Sequence, residues 1–276
     1  MSNDRGAAFS ARPLHFLCWA LFLSSPFYVL SYFWRGYGIF PFGLPFGVAM
    51  IFVPAAVGTI MTAREKGGKA AARLWLSVLD IRTKSIPWTL IGFLCMPATA
   101  IIAFGVMRVF GMPLPAAIAV NFASVPITFA IFFLGAAFEE VGWTGYVTEP
   151  LQRRYGVVGA GLIIGVVWAL WHVVPWSQYA HQQSNWVLWQ ALVVVITRVV
   201  MGMIYAYGGR SLFLAVAFHA MDNVSWKLFP NQGSHYDPDV MGLVLAILAV
   251  LLLTLLIATG RNPIGIPRVG HDFALE

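Results

Sequence analysis

Charged residues are scarce in this chain of 276 residues. Lys, Arg, Asp and Glu make up 10% of it, whereas 59% is hydrophobic and the mean hydropathy is +0.78. A soluble domain carries about 25% charged residues, so the composition excludes a soluble globular protein and predicts one transmembrane domain over 1–276. The formal net charge of +6 does not indicate nucleic-acid binding, because the basic residues stand in short loops beside apolar runs.

Cysteine is nearly absent as well. Cys18 and Cys95 each lie within an apolar run, which argues against a disulfide framework and against a cysteine metal site. The first apolar run also lacks an A-x-A cleavage pattern, so we expect a retained helix in place of a cleaved signal peptide.

Long apolar runs are what the sequence does have, and about 20 such residues span a bilayer core of roughly 30 Å. They predict eight transmembrane helices, at 15–34, 40–62, 87–109, 124–147, 157–176, 186–207, 211–229 and 240–259. The segment 64–85 carries six Lys and Arg against two acids, and the positive-inside rule therefore places it in the cytoplasm. Eight spans of a plasma-membrane protein then put both termini on the cytoplasmic side.

The basic segment 64–85 also contains apolar residues at 72–82. This mixture is typical of an amphipathic helix that lies on the inner leaflet. A solvated connector between two spans is the alternative interpretation.

Polar and ionisable side chains inside predicted spans are costly, at about 2.5–3.5 kcal/mol for a charged one, and usually mark function. They are Glu139, Glu140, His172, Arg198, His219, Asp222 and Asn223. Glu139 precedes the turn predicted near Tyr155 by about as many residues as His172 follows it, so the two lie at similar depth. His219 and Asn223 lie about 15–21 Å beyond the turn near Gly209. We therefore predict that these groups meet within the membrane.

The spacing of these residues narrows the range of reactions that the site could catalyse. Three pairs are separated by four residues and so project from one face of a helix: Glu140 with Thr144, Trp168 with His172, and His219 with Asn223. Gly142 and Gly145 allow close backbone approach beside the acids. A carboxylate, two imidazoles and an amide in a water-restricted cavity suit peptide hydrolysis, with the carboxylate as general base and the others as donors to an oxyanion.

Each element alone also has a structural interpretation. A single intramembrane histidine often serves only as a hydrogen-bond donor, and Arg198 could be the ion-pair partner of one glutamate. Asp222 points about 100° away from Asn223 on its helix, so we treat it as secondary. The aromatic run 168–176 reads as packing and an interface belt, apart from His172.

With these residues in place, the sequence resembles the CAAX protease and bacteriocin-processing (CPBP) family, also called the ABI family. Its members are intramembrane endopeptidases of the type II CAAX prenyl protease kind. Its motifs EExxxR, FxxxH and HxxxN correspond to Glu139–Thr144, Trp168–His172 and His219–Asn223. The resemblance covers about residues 125–226, which we take as the catalytic core, and 197–223 is similar to the family throughout.

The resemblance implies a role for each motif residue. Glu139 with His172 would activate the attacking water, and Glu140 would orient the cluster. His219 with Asn223 would form the oxyanion site. Three ordered motifs together make a specific signal, although each alone does not.

Two positions depart from the motifs. Thr144 stands where the first motif has Arg, and Arg198 is a candidate substitute for the missing charge. Trp168 stands in place of Phe in the second motif, which we interpret as a mild change.

The family was long called a group of metalloproteases, and Glu139, His172 and His219 are alternative zinc ligands. Yet the sequence has no H-E-x-x-H motif, and no carboxylate partner for the histidines can be identified. We therefore predict a glutamate-activated water with no required cofactor, and keep zinc as the alternative.

The sequence thus predicts an all-α protein of about eight transmembrane helices that acts as an intramembrane endopeptidase. Its expected partners are the lipid bilayer and a membrane-associated protein or peptide substrate, prenylated or not. Two other classes remain open. One is a non-catalytic scaffold or immunity-type protein that binds peptides, and the other is a proton-coupled transporter, for which the expected half-repeats are not visible.

Overall fold

The structure is a computed structural model, and it describes residues 12–33, 46–82, 85–116, 122–177, 184–230 and 233–265. These residues form α-helices joined by loops and short 3₁₀ turns, with no strand among them. The α-helices are α1 (Pro13–Phe33), α2 (Phe52–Lys66), α3 (Gly68–Leu76), α4 (Ile86–Val109), α5 (Val125–Trp143), α6 (Thr148–Pro175), α7 (Ser184–Tyr207), α8 (Leu212–Leu228) and α9 (Pro238–Ala258). The predicted all-α fold class is confirmed.

Seven helical segments are long and apolar enough to cross a membrane. They are Pro13–Phe33, Gly47–Lys66, Ile86–Val109, Phe122–Trp143, Thr148–Pro175, Ser184–Tyr207 and Pro238–Ala258. Each overlaps a predicted span, although the first residues of the span at 40–62 lie outside the described residues. The remaining predicted span, 211–229, is the helix α8 with 17 residues, at the short end of the range of about 17–25 residues that cross a bilayer.

The turn expected near Tyr155 is a break inside α6. Gly156 has a φ of 73°, in the left-handed region that glycine adopts without a steric cost. The short segment before Gly156 therefore leaves the axis of the longer helix that follows. That longer part carries Trp168 and His172 into the centre of the bundle.

Glycines bring α6 close to α7. A Cβ at Gly161 would lie 2.7 Å from the Cα of Val199, and one at Gly165 would lie 2.9 Å from the Cα of Val195. Small residues spaced by four are a common device for close helix packing in membranes. This contact places Arg198 of α7 directly against the face of α6.

The residues next to Glu140 also pack closely, as predicted for Gly142 and Gly145. A Cβ at Gly142 would overlap the carbonyl group of Pro54 in α2, and one at Gly145 would meet the side chain of Leu74 in α3. Helix α5 also packs against α8. The helix that carries both glutamates is therefore held between α2 and α8.

One end of the bundle gathers the basic loops, and we call residues 64–73, 145–156 and 261–265 the basic end. The Tyr146 hydroxyl donates to Glu65 Oε1 at 2.8 Å, and the backbone N–H of Arg12 donates to the Tyr146 hydroxyl oxygen at 3.1 Å. The backbone N–H of Val158 donates to the carbonyl of Pro263 at 3.0 Å. Residues near both ends of the described chain thus lie at the same end of the helix bundle. A protein with an even number of membrane spans requires this arrangement.

The connector 64–85 contains the helix α3, which starts earlier than the predicted amphipathic stretch at 72–82. The Trp75 indole N–H donates to Thr59 Oγ1 at 2.9 Å, which ties α3 to α2. Residues 83–84 of the connector lie outside the described residues.

Candidate active site

Glu140 is the most completely bonded side chain of the cluster. Arg198 Nη1 donates to its Oε2 at 2.7 Å and Arg198 Nη2 donates to its Oε1 at 2.8 Å. The Thr144 hydroxyl also donates to Oε2, and His219 Nδ1 lies 2.9 Å from Oε1. Because Glu140 is 0% exposed and Arg198 2% exposed, neither charge reaches water, and each relies on the other and on these hydrogen bonds.

Arg198 lies beside Thr144, the position where the first motif has Arg. Its Nη1 lies 3.2 Å from Thr144 Oγ1, so the guanidinium that pairs with Glu140 also contacts the position of the motif arginine. The Met201 sulfur lies 2.8 Å from the same Nη1, and the guanidinium carbon stands 4.3 Å above the Trp168 ring. The proposed substitution of one arginine for the other therefore has a geometric basis.

Glu139 is bonded quite differently from its neighbour. Its Oε2 accepts one hydrogen bond, from the Trp168 indole N–H at 2.9 Å. Its Oε1 accepts none from the part of the chain that the structure describes. Glu139 is 7% exposed and has no direct ion-pair partner there, so one carboxylate oxygen is left for another ligand such as water.

The two histidines are oriented by different acceptors. His172 Nδ1 lies 2.9 Å from the carbonyl oxygen of Trp168. A carbonyl only accepts, so Nδ1 carries the proton and the Nε2 of the neutral ring is a free lone pair. His219 Nδ1 faces the Glu140 carboxylate and is likewise assigned as the donor, so its Nε2 can donate only when the ring is doubly protonated.

Trp168 lies at the centre of the cluster. Its ring meets the His172 ring at a centroid distance of 5.0 Å and the His219 ring at 5.2 Å, both nearly perpendicular. Trp168 also contacts the Arg198 guanidinium with its ring face and donates its N–H to Glu139. It is therefore a neighbour of four site residues. Phe has no N–H to donate to Glu139, so Trp168 adds to the site a hydrogen bond that the motif residue could not make.

Asn223 and Asp222 stand apart from this hydrogen-bonded network. Asn223 is half-buried on the same face of α8 as His219, and its amide makes no hydrogen bond with any described residue. Asp222, also half-buried, is not hydrogen-bonded to the cluster either. The structure therefore brings Asn223 to the right helix face but does not join it to the glutamates.

Zinc is the alternative to a site without a cofactor. Among the described residues, no group of three His, Cys, Asp or Glu side chains is arranged to hold a metal ion. His172 Nδ1 faces a carbonyl and His219 Nδ1 faces the Glu140 carboxylate, the partner that the sequence did not identify. Such bonding of one ring nitrogen is also usual for metal-binding histidines. The site without a required cofactor stays a prediction, with Glu139, His172 and His219 as the alternative zinc ligands, and the mechanism is derived from the side chains of the cluster.

Some contacts could not be found from the sequence. Met201 follows Arg198 by three residues on one helix face, which could have indicated the contact, but nothing in the sequence shows that its sulfur meets the guanidinium. The Tyr28 hydroxyl donates to the carbonyl of Trp171 at 2.6 Å and the Trp171 indole donates to Ser24 at 2.7 Å. These bonds fix α1 against the part of α6 that carries His172.

The chain is similar in sequence to known membrane proteases. Residues 121–225 match the family described as type II CAAX prenyl endopeptidase Rce1-like, and this segment contains all the predicted site residues. Over 190 residues the chain is 25% identical to CAAX prenyl protease 2 of Methanococcus maripaludis, an alignment that covers 64% of this chain and 70% of that relative.

The membrane-spanning helices and the buried glutamate and histidine cluster, taken with these matches, define a multi-pass membrane protease. Over residues 121–225 the chain is similar to the Rce1-like type II CAAX prenyl endopeptidases.

Proposed function

We propose that this protease hydrolyses a peptide bond in a membrane-associated protein or peptide, with Glu139 as the general base on the attacking water. The observation that carries the proposal is the unequal bonding of the two glutamates. Glu140 is fully engaged by Arg198, Thr144 and His219, whereas Glu139 keeps one oxygen unbonded by any described residue. A base must have a free lone pair within reach of the water it deprotonates.

The chemical steps follow from this arrangement. A water held by Glu139 gives up a proton while its oxygen attacks the carbonyl carbon of the scissile bond. The free Nε2 of His172 can accept a hydrogen bond from the same water and help to orient it. Protonated Glu139 then returns the proton to the leaving nitrogen as the carbon–nitrogen bond breaks.

The negative oxygen formed in the first step needs donors. His219 and Asn223 project from one face of α8, and we assign them to this oxyanion site. Because His219 Nδ1 is directed at Glu140, its Nε2 acts as a donor only in the imidazolium form, and the ionised Glu140 carboxylate favours that form. Glu140 and Arg198 are thus positioning residues that act through His219.

The substrate is proposed to be a prenylated CAAX-type protein, by analogy with the names of the family and of the relative. An unlipidated membrane peptide is the second candidate. We propose further that the protein lies in the plasma membrane with both termini in the cytoplasm. The gathering of basic loops at one end of the bundle supports that orientation through the positive-inside rule.

The proposal is tested with the full chain purified in detergent and fluorogenic peptides that carry or lack a farnesyl group. Glu139→Gln keeps the size of the side chain and removes the base, so kcat/KM should fall by about 10²–10⁴-fold. Glu149→Gln is the matched control, because this acid lies at the basic end. His219→Ala should also abolish cleavage. A chelator should leave the wild-type rate unchanged.

Each alternative has its own outcome. Equal cleavage by wild type and Glu139→Gln would overturn the assignment of the base. Activity lost to the chelator and restored by zinc would overturn the metal-free mechanism. If folded wild type cleaves none of the peptides but binds them, the scaffold replaces the peptidase, whereas proton-coupled uptake into liposomes would favour the transporter.

A further inference from the structure

A second site lies at the basic end, apart from the glutamate cluster. A cavity of about 500 Å³ opens between α2, α3 and the linker from α5 to α6. Thr62, Lys66 and Arg73 contribute polar groups to its lining, and Gly145 and Tyr146 form the wall on the side of the linker. Glu139 and Glu140 face α6, α7 and α8 instead, so this cavity is not part of the site described above.

Two cationic side chains line the cavity. Lys66 and Arg73 both line it, and within the described ranges Arg73 has no carboxylate at ion-pair distance. The Arg73 Nε donates only to the backbone carbonyl of Lys69, at 3.3 Å. The nearby acid, Glu65, is not among the lining residues and accepts from the Tyr146 hydroxyl. The cavity is therefore suited to an anion.

The surroundings of the cavity indicate which kind of anion it binds. Lys66 is the last residue of a membrane-spanning segment, so the cavity lies near the level where the hydrocarbon core ends. Just beyond α3, Leu79 and Ile81 are 70% and 69% exposed, and Leu76 at its end is 65% exposed. In a membrane protein such side chains insert among lipid chains beside the headgroups.

We propose that this cavity binds the headgroup phosphate of an anionic phospholipid, between Lys66 and Arg73. The Thr62 hydroxyl can donate a further hydrogen bond to the phosphate, and the acyl chains extend along the apolar residues at 76–81. The two cations supply the attraction for negative lipid that juxtamembrane basic residues provide. The bound lipid would join α3 to the linker that follows the glutamate helix.

The proposal is tested by counting lipids bound to the full chain in detergent by native mass spectrometry. The probes are dioctanoyl phosphatidylglycerol, dioctanoyl phosphatidylcholine and sn-glycerol 3-phosphate. Wild type should bind the phosphatidylglycerol in preference to the zwitterionic lipid. Lys66→Gln and Arg73→Gln should each weaken that binding about fivefold, and the double variant about 25-fold.

Lys69→Gln is the matched control, because Lys69 is an exposed cation of the same helix that does not line the cavity. It removes the same charge and should keep the wild-type affinity. Equal weakening by Lys69→Gln and by the cavity variants would overturn the site in favour of diffuse surface attraction. Binding of sn-glycerol 3-phosphate as tight as that of the lipid would show a soluble phosphate ligand instead. Neither readout depends on peptidase activity.

Discussion

Two of the glutamate–arginine pairs in the structure look alike and differ in their surroundings. Arg198 Nη1 lies 2.7 Å from Glu140 Oε2, with side chains 2% and 0% exposed. At the basic end, Arg153 Nη2 lies 2.6 Å from Glu149 Oε1, with side chains 44% and 24% exposed. The distances are nearly equal, yet only the first pair is sealed from water.

The difference lies in what remains when one partner is removed. At the basic end water can solvate the remaining charge, and Glu149 also keeps Arg210, whose Nη1 lies 2.6 Å from the same Oε1. Such partly exposed pairs contribute about 0–1 kcal/mol. In the centre of the bundle the remaining carboxylate has no water, which typically costs about 3–5 kcal/mol. The same contact is therefore a marginal surface feature in one region and a requirement for folding and alignment in the other.

Arg198→Met is expected to have the largest effect on stability. It leaves Glu140 charged and without its bidentate partner, so the free energy of unfolding should fall by about 3–5 kcal/mol, measured by titration with denaturing detergent in mixed micelles. Pairing it with Glu140→Met in a double-mutant cycle should recover much of the loss, because an apolar pair carries no buried charge. A loss below about 1 kcal/mol in the single variant would contradict the role assigned to burial.

Thr144→Arg in the Arg198→Met background should restore part of that loss. The new arginine lies four residues after Glu140 on one helix face, where the family motif has it. A hydrogen bond to a charged group contributes about 1.5–3 kcal/mol, and stability and kcat/KM should rise accordingly. Thr144→Met in the same background supplies bulk without charge and should restore neither. If both variants behave alike, Arg198 does not replace the motif arginine.

Sequence reasoning predicted the helices and the residues of the cluster because both follow from local patterns. Apolar runs set the spans, and equal distances from turns set the depths of Glu139 and His172. It could not assign partners, since whether Arg198 faces Glu140 or Glu139 depends on the rotation of α7 against α6. That rotation is fixed by contacts at Gly161 and Gly165, which a spacing of residues does not reveal.

The role of Trp168 could not be predicted from the sequence for a related reason. An aromatic residue in an apolar run fits packing, an interface belt or a hydrogen bond equally well, and only the structure shows the indole N–H directed at Glu139. Asn223 shows the opposite case. Its spacing from His219 predicts correctly that both lie on one face of α8, but its amide has no hydrogen-bond partner among the described residues.

Trp168→Phe should lower kcat/KM by about tenfold, since it removes one hydrogen bond to a charged group while keeping the ring. Glu139 then loses the bond that orients it. The matched control is Trp143→Phe, because the Trp143 indole N–H is buried without a hydrogen-bond partner in the described part of the chain. A similar loss of rate in both variants would point to packing, and not to the bond with Glu139, as the cause.

Arg153→Met is expected to have the smallest effect and completes the comparison of the two ion pairs. The pair with Glu149 spans one helical turn and is partly exposed, so its removal should lower the free energy of unfolding by only about 0.3–0.5 kcal/mol. Salt should remove even this difference, because exposed charges are screened within about 3 Å at 1 M ionic strength, whereas the loss in Arg198→Met should persist at the same salt. A loss in Arg153→Met as large as that in Arg198→Met would mean that the basic end excludes water too, and burial would no longer separate the two regions.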